Sequence, residues 1–244
     1  MGKNKTMILK SAEKVLLMAI LLFCDQNNLH AQTAARDDLS LYKTTISYQP
    51  KPVTAKSFIL PAGLIATGAS GVSGEFIISN PAIKEERDEH FQSFHTTIDN
   101  YLQFAPMVLG YAMLINNPQH SALKYTEKVL LTQVIMSGLV YSTKSITKVP
   151  RPDTGTPTSF PSGHTAQAFA GATLFCDEFA QHKPWLGVMV YSSAATVGIL
   201  RVMNNRHWAG DVIAGAGFGM ASAKLSEWIV EPHHKKNSIN NNRF

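Results

Sequence analysis

Proline, glycine and asparagine cut this chain into apolar stretches of helical length, with no sustained polar–apolar alternation to suggest strands. The breakers read NPAIKEERDE, NNPQHS, KVPRPDTGTPTSFPSG, QHKP and NNRH. Between them the pattern predicts six helices, over residues 57–78, 98–116, 127–144, 164–180, 185–203 and 208–230. Helices without strands can bury their apolar faces only on one another. The expected fold class is therefore all-α, a six-helix bundle forming one domain over residues 57–232, with no internal repeat. Residues 32–56 are polar, end in YQPKPVTAKS and read as an extended arm. The basic, asparagine-rich tail HHKKNSINNNRF, residues 233–244, reads as disordered.

The first residues, MGKNKTMILKSAEKVLLMAILLFC, place four lysines ahead of an apolar run at 15–24. A small residue, Ala31, follows shortly after. That layout predicts a secretory signal peptide over residues 1–31, or an uncleaved anchor, and hence an exported protein of the periplasm or inner membrane. The apolar run is short for a bilayer span. An acylation signal at Cys24 is disfavoured by the bulky Phe23 before it. Beyond residue 31 only Cys176 remains, so no internal disulfide can form. Loss of residues 1–31 removes four lysines and two acids, which lowers the net charge from +5 to +3. So small a surplus, without Lys/Arg runs or interleaved aromatics, gives no sign of nucleic-acid binding. Two topologies stand at this level. The segment 185–203 is apolar enough to cross a membrane, and the cations at Lys124, Lys128, Lys183 and the tail would then share one side. Against that, several helices carry charges and the mean hydropathy is only −0.04, which suits a soluble bundle.

Three stretches carry more chemistry than a plain bundle requires. KSITKVPRP runs from Lys144 to Pro152 and holds Lys144 and Arg151 at the end of the third helix. PSGH, Pro161 to His164, opens the fourth helix, with Ser162 as its N-cap. A helix N-terminus offers unpaired N–H groups and the positive dipole end, and Gly163 lets an anion approach the backbone. RVMNNRHWAGD spans Arg201, His207 and Asp211, the last two four residues apart and so on one helical face. Each stretch alone has an ordinary structural explanation. In an antiparallel bundle, however, all three fall at one end. Three cations, a helix N-terminus, two histidines and a carboxylate then converge, which is the inventory of phosphoryl chemistry.

K-x6-R-P, P-S-G-H and R-x5-H-x3-D, in this order, resemble the type 2 phosphatidic acid phosphatase (PAP2) superfamily, which includes bacterial acid phosphatases and vanadium haloperoxidases. The resemblance covers about residues 98–230. It implies a bundle with the active site at one end and a metal-independent phosphatase without a cofactor. His207 would be the nucleophile, oriented by Asp211, and His164 would protonate the leaving oxygen and then activate water. Lys144, Arg151 and Arg201, with Ser162 and the Gly163 N–H, would bind the phosphate. Leu200 departs from the serine that many members carry before the arginine. The remaining histidines show no metal-ligand spacing. The expected substrate is a lipid-linked phosphomonoester or diphosphate: a carrier-lipid diphosphate, lipid A phosphate, phosphatidylglycerol phosphate or phosphatidate. The expected site faces away from the cytoplasm, in association with a membrane. A soluble periplasmic acid phosphatase, a vanadate-dependent haloperoxidase and a catalytically silent scaffold are the competing readings. Residues 79–100, mixing charges and aromatics, read as a rim to the pocket or as a solvated loop.

Overall fold

The computed structural model describes residues 52–72 and 80–231, all within one compact unit. The expected signal peptide, most of the arm and the tail lie outside the described residues. All regular structure among the described residues is helical. A 3-10 turn at Ala55–Phe58 leads into α1 (Ile59–Ser70), followed by α2 (Asn80–Phe91), α3 (Asp99–Leu102) and α4 (Ala105–Ile115). The longer helices come next: α5 (Ala122–Thr147), α6 (Gly163–Phe179), α7 (Pro184–Met203) and α8 (Ala209–Val230).

The all-α class holds, but the count of six does not: eight α-helices occupy the described residues. One stretch read as a breaker, around NPAIKEERDE, is itself helical as α2. The helix expected over 98–116 is two, because the chain pauses at Gln103 and Phe104 before Pro106 enters the first turn of α4. Proline lacks the N–H that would continue the preceding helix and fits best at a helix start. Helix α5 begins five residues earlier than apolar periodicity suggested. Ser121 caps it by accepting from the Lys124 N–H, and the buried Lys128 disguises its inner face as polar.

Helix α6 is the axis of the bundle. Ala166, Ala168, Ala170, Ala172 and Leu174 are essentially inaccessible, and α5, α7, α8 and α4 surround it. Its small residues let α8 approach to backbone distance. A Cβ at Gly219 would lie 2.1 Å from the Ala166 carbonyl oxygen, and one at Gly215 would lie 2.5 Å from that of Ser162. Helices α6 and α8 therefore run side by side with both N-termini at one end. Helices α5 and α7 run the opposite way, delivering their C-termini to that same end. The large apolar side chains sit mostly outside. Leu130, Val134 and Tyr141 on α5, and Val188 and Ile199 on α7, are all largely exposed. Both helices are long and apolar enough to cross a membrane.

The close α6–α8 crossing predicts that Gly219→Ala lowers stability by roughly 1–3 kcal/mol, since the added methyl must push backbone apart. Gly138→Ala on the open face of α5, where a Cβ meets nothing within 4 Å, serves as the control. Thermal unfolding of the purified protein in detergent should drop for the first variant and hold or rise for the second.

Candidate active site

The end where α5 and α7 finish and α6 and α8 begin collects every residue singled out by the three motifs. Lys144, in the last turn of α5, donates through Nζ to the carbonyls of Thr158 (2.6 Å) and Ser159 (3.0 Å). The loop 148–162 folds back over it: the Arg151 N–H reaches the Thr156 oxygen, and the Ser159 N–H reaches that of Val149. Arg151 is steadied by an Nε bond to Thr158 Oγ1 at 3.2 Å. Among the described residues, neither Lys144 nor Arg151 has a carboxylate within ion-pair distance.

Ser162 caps α6, its Oγ accepting from the Thr165 N–H, and its own N–H donates to the Asp211 carbonyl at 2.9 Å. That bond ties the start of α6 to the start of α8. At Gly163 an added Cβ would meet only Val140, at 3.9 Å, so internal packing does not demand glycine there.

His207 and Asp211 are both buried. Asp211 Oδ2 accepts from Ser159 Oγ at 2.5 Å and from the Trp208 N–H at 2.9 Å, and lies 3.4 Å from His207 Nδ1. With the carboxylate at Nδ1, that nitrogen carries the proton and Nε2 is left bare. Trp208 is held by an indole N–H bond to the Pro150 carbonyl, which links this turn to the arginine loop.

Arg201 closes the site from the end of α7. Its Nη1 donates to Asp99 Oδ2 at 2.7 Å, while its buried Nε has no partner among the described residues. A buried guanidinium N–H without an acceptor is costly, and an anion would satisfy it.

The electrostatics follow from this crowding. His164 is pushed down from its ordinary 6.5 to about 4, first by burial and then by the Arg201 charge. His207 falls to about 4 because burial outweighs the pull of Asp211. Burial and Arg201 also lower Arg151. Both imidazoles are thus neutral at neutral pH, in a pocket that is otherwise cationic.

The motifs missed several side chains that build this end. Ser159 bonds Asp211, and Asp99 pairs with Arg201. Asn100 Oδ1 meets His164 Nε2 at 2.9 Å, and Asn204 Nδ2 donates to Asp99 Oδ1. Ser159 adjoins PSGH and Asn204 lies inside R-x5-H-x3-D, so both could have been drawn in by that proximity. Asp99 and Asn100 lie in the mixed polar stretch 79–100 and carried no local signal.

The family model of the PAP2 superfamily matches residues 105–235, more than half of the chain. The chain belongs to the PAP2 superfamily. A curated relative, the lipid A 1-phosphatase of Porphyromonas gingivalis, is 34% identical over 232 residues, which cover 90% of this chain and 51% of the relative. The chain thus spans about half the length of the curated relative it matches. Among solved structures, Aquifex aeolicus LpxE is 24% identical with a TM-score of 0.43, covering 58% of this chain and 92% of that one. The transmembrane PAP2-type phosphatidylglycerolphosphate phosphatase of Bacillus subtilis is 19% identical with a TM-score of 0.48, covering 70% of this chain and 95% of that one. The PAP2 match begins at residue 105, so Asp99 and Asn100 lie upstream of it.

The neutral histidines make stability depend on pH in a defined direction. The unfolded chain protonates His207 near 6.5 and the folded chain only near 4, so lowering the pH across that window favours unfolding. The unfolding midpoint of the wild type should therefore fall more steeply between pH 6.5 and pH 4 than that of His207→Asn. Thermal melts of the two proteins across that range check the difference.

Proposed function

We propose that this PAP2 protein is a metal-independent phosphatase that hydrolyses a lipid-linked phosphomonoester or diphosphate through a phosphohistidine, on the extracytoplasmic side. The observation that carries this reading is the uncompensated positive charge around His207. Lys144 and Arg151 lack carboxylate partners, and Arg201 keeps a buried N–H unsatisfied. A phosphate dianion supplies what all three lack. Fixed cations there neutralise the charge that spreads over the equatorial oxygens as the P–O bond breaks.

His207 Nε2 attacks phosphorus, and the bond to the leaving oxygen breaks. Asp211 and Ser159 hold Nδ1–H and stabilise the positive charge that develops on the ring. His164 gives its proton to the leaving oxygen. In the second step it takes a proton from water, whose oxygen attacks the phosphohistidine and releases inorganic phosphate and His207. Before substrate binds, burial first and then the surrounding cations keep His164 neutral. The incoming phosphate offsets those cations and restores the proton that the first step needs. Ser162 and the Gly163 N–H complete the cradle at the positive end of α6.

The lipid character of the substrate rests on the outer surface. Helices α5 and α7 present large apolar side chains outward along lengths sufficient to cross a bilayer, with the site at the end of both. A lipid whose phosphate lies at the membrane surface would meet the pocket without leaving the bilayer. Among such lipids, the similarity to a lipid A 1-phosphatase favours a lipid A phosphate. A signal peptide at residues 1–31 would put the site on the extracytoplasmic side.

His207→Ala should reduce phosphate release to background on every lipid and soluble substrate tested. Arg201→Ala should lower kcat/KM by about 10²-fold or more, in line with loss of a charge-assisted phosphate contact. A malachite-green assay across lipid A, phosphatidylglycerol phosphate, phosphatidate, undecaprenyl diphosphate and a soluble aryl phosphate reads both. Undiminished release by His207→Ala would overturn the mechanism.

A further inference from the structure

The segment just upstream of the family match is bound into the site by the side chains of Arg201, Asn204 and His164. Asn204, which follows α7, forms a two-way bridge to Thr96. Its Oδ1 accepts the Thr96 N–H at 2.9 Å, and its Nδ2 donates to the Thr96 carbonyl at 2.9 Å. The same Nδ2 reaches Asp99 Oδ1, whose other oxygen takes Arg201 Nη1. Asp99 is 1% exposed, so this is a buried, fully used carboxylate rather than a surface one. Residues 96–100 are thereby fixed against the end of α7, and the next residue along, Asn100, meets His164.

The geometry points to Asn100 as a positioning residue for His164, holding Nε2–H so that Nδ1 is the nitrogen that exchanges protons with the leaving oxygen and with water. An amide oxygen can only accept, so the 2.9 Å contact requires the proton on Nε2. Nδ1 makes no hydrogen bond to the described residues and is left free for the substrate. One contact thus selects a tautomer and stops the ring from turning about its Cβ–Cγ bond. The fit of Asn rather than Asp also follows. His164 already faces Arg201 from α7, Asp99 from α3, Arg151 from the loop and Lys144 from α5. A second carboxylate would raise the pKa of the ring and keep it charged to higher pH, leaving less of the neutral imidazole in the resting site. This inference rests on the phosphatase reading for its kinetic arm, but not for its spectroscopic one.

Two variants test it. Asn100→Ala should lower kcat by about 10–100-fold with KM within about threefold of wild type, since the phosphate contacts are untouched. Asn100→Asp keeps the acceptor, so it should recover much of that loss near its own optimum. It should also move the limbs of the kcat–pH profile that report His164 to higher pH, by about one unit. In the free protein, ¹⁵N NMR of labelled histidine should find His164 as the Nε2–H tautomer in wild type and a tautomer mixture in Asn100→Ala. Wild-type kcat and pH profile in Asn100→Ala would overturn the assignment, as would an Nδ1–H tautomer in wild-type protein. A wild-type protein that releases no phosphate would instead sink the phosphatase reading, leaving the NMR result to decide the role of Asn100.

Discussion

The buried carboxylate of Asp211 is the constraint on which the motif-bearing end of the bundle depends. A carboxylate taken out of water persists only where hydrogen bonds and positive potential replace its hydration. Here the first turn of α8 supplies the dipole, and the Ser159 hydroxyl, the Trp208 N–H and the His207 ring surround Oδ2. Because Asp211 also accepts the Ser162 N–H through its backbone oxygen, satisfying it fixes three separate pieces of chain at once. These are the loop before α6, the cap of α6 and the turn that carries His207. The backbone-close crossing at Gly215 makes this possible, since a side chain there would hold the two helix starts apart.

The parts of this arrangement legible in the sequence are those set by local chemistry. Ser162 followed by glycine and an apolar run is a helix start, and the breaker pattern alternates helix direction, so the three motifs were expected at one end. The parts that were not legible depend on partners distant in sequence. Lys128 reads as a surface lysine, yet it is buried because Glu178 and Glu231 meet it from α6 and from just beyond α8. Asp99 and Asn100 read as part of a polar rim, yet their partners are Arg201, Asn204 and His164, 64 to 105 positions away. Helix α2 was read as a loop because its composition is polar and it begins with Asn-Pro. What holds it is tertiary, through Asn80 to Gly71 and Gly210 and through Arg87 to the Met203 carbonyl.

Mean hydropathy does not report how the apolar side chains are arranged. The value of −0.04 averages over polar ends and loops, whereas the bundle has small residues at the α6–α8 contact, a core that includes Tyr125, Leu174, Phe175 and Phe179, and many further large apolar side chains on its outside. Alanine and glycine line the contacts of α6 with α8, and Val, Leu, Ile and Tyr face outward on α4, α5 and α7. In water this inverts the usual gain from burial. In a bilayer it is consistent: lipid is as apolar as leucine, and helices associate by close packing of small residues.

The two ends of the bundle treat charge in opposite ways, and that contrast is the strongest physical argument for where function resides. At the far end, among the described residues, the buried lysines are matched. Lys128 pairs with Glu178 and Glu231, and Lys224 with Asp177 and Glu227. Among the described residues, the same chain, under the same pressure to neutralise buried charge, leaves the Lys144 and Arg151 side chains bonded only to carbonyls and a hydroxyl. Like charges gathered without counter-ions weaken the folded state. In the proposed phosphatase an incoming anion would complete them, and the local instability would then serve as binding energy for phosphate. The neutral state of both histidines belongs to the same design. Under the proposed mechanism, a pocket that repels protons when empty would supply a bare nucleophile at His207 and would leave His164 to gain its proton only once phosphate has arrived.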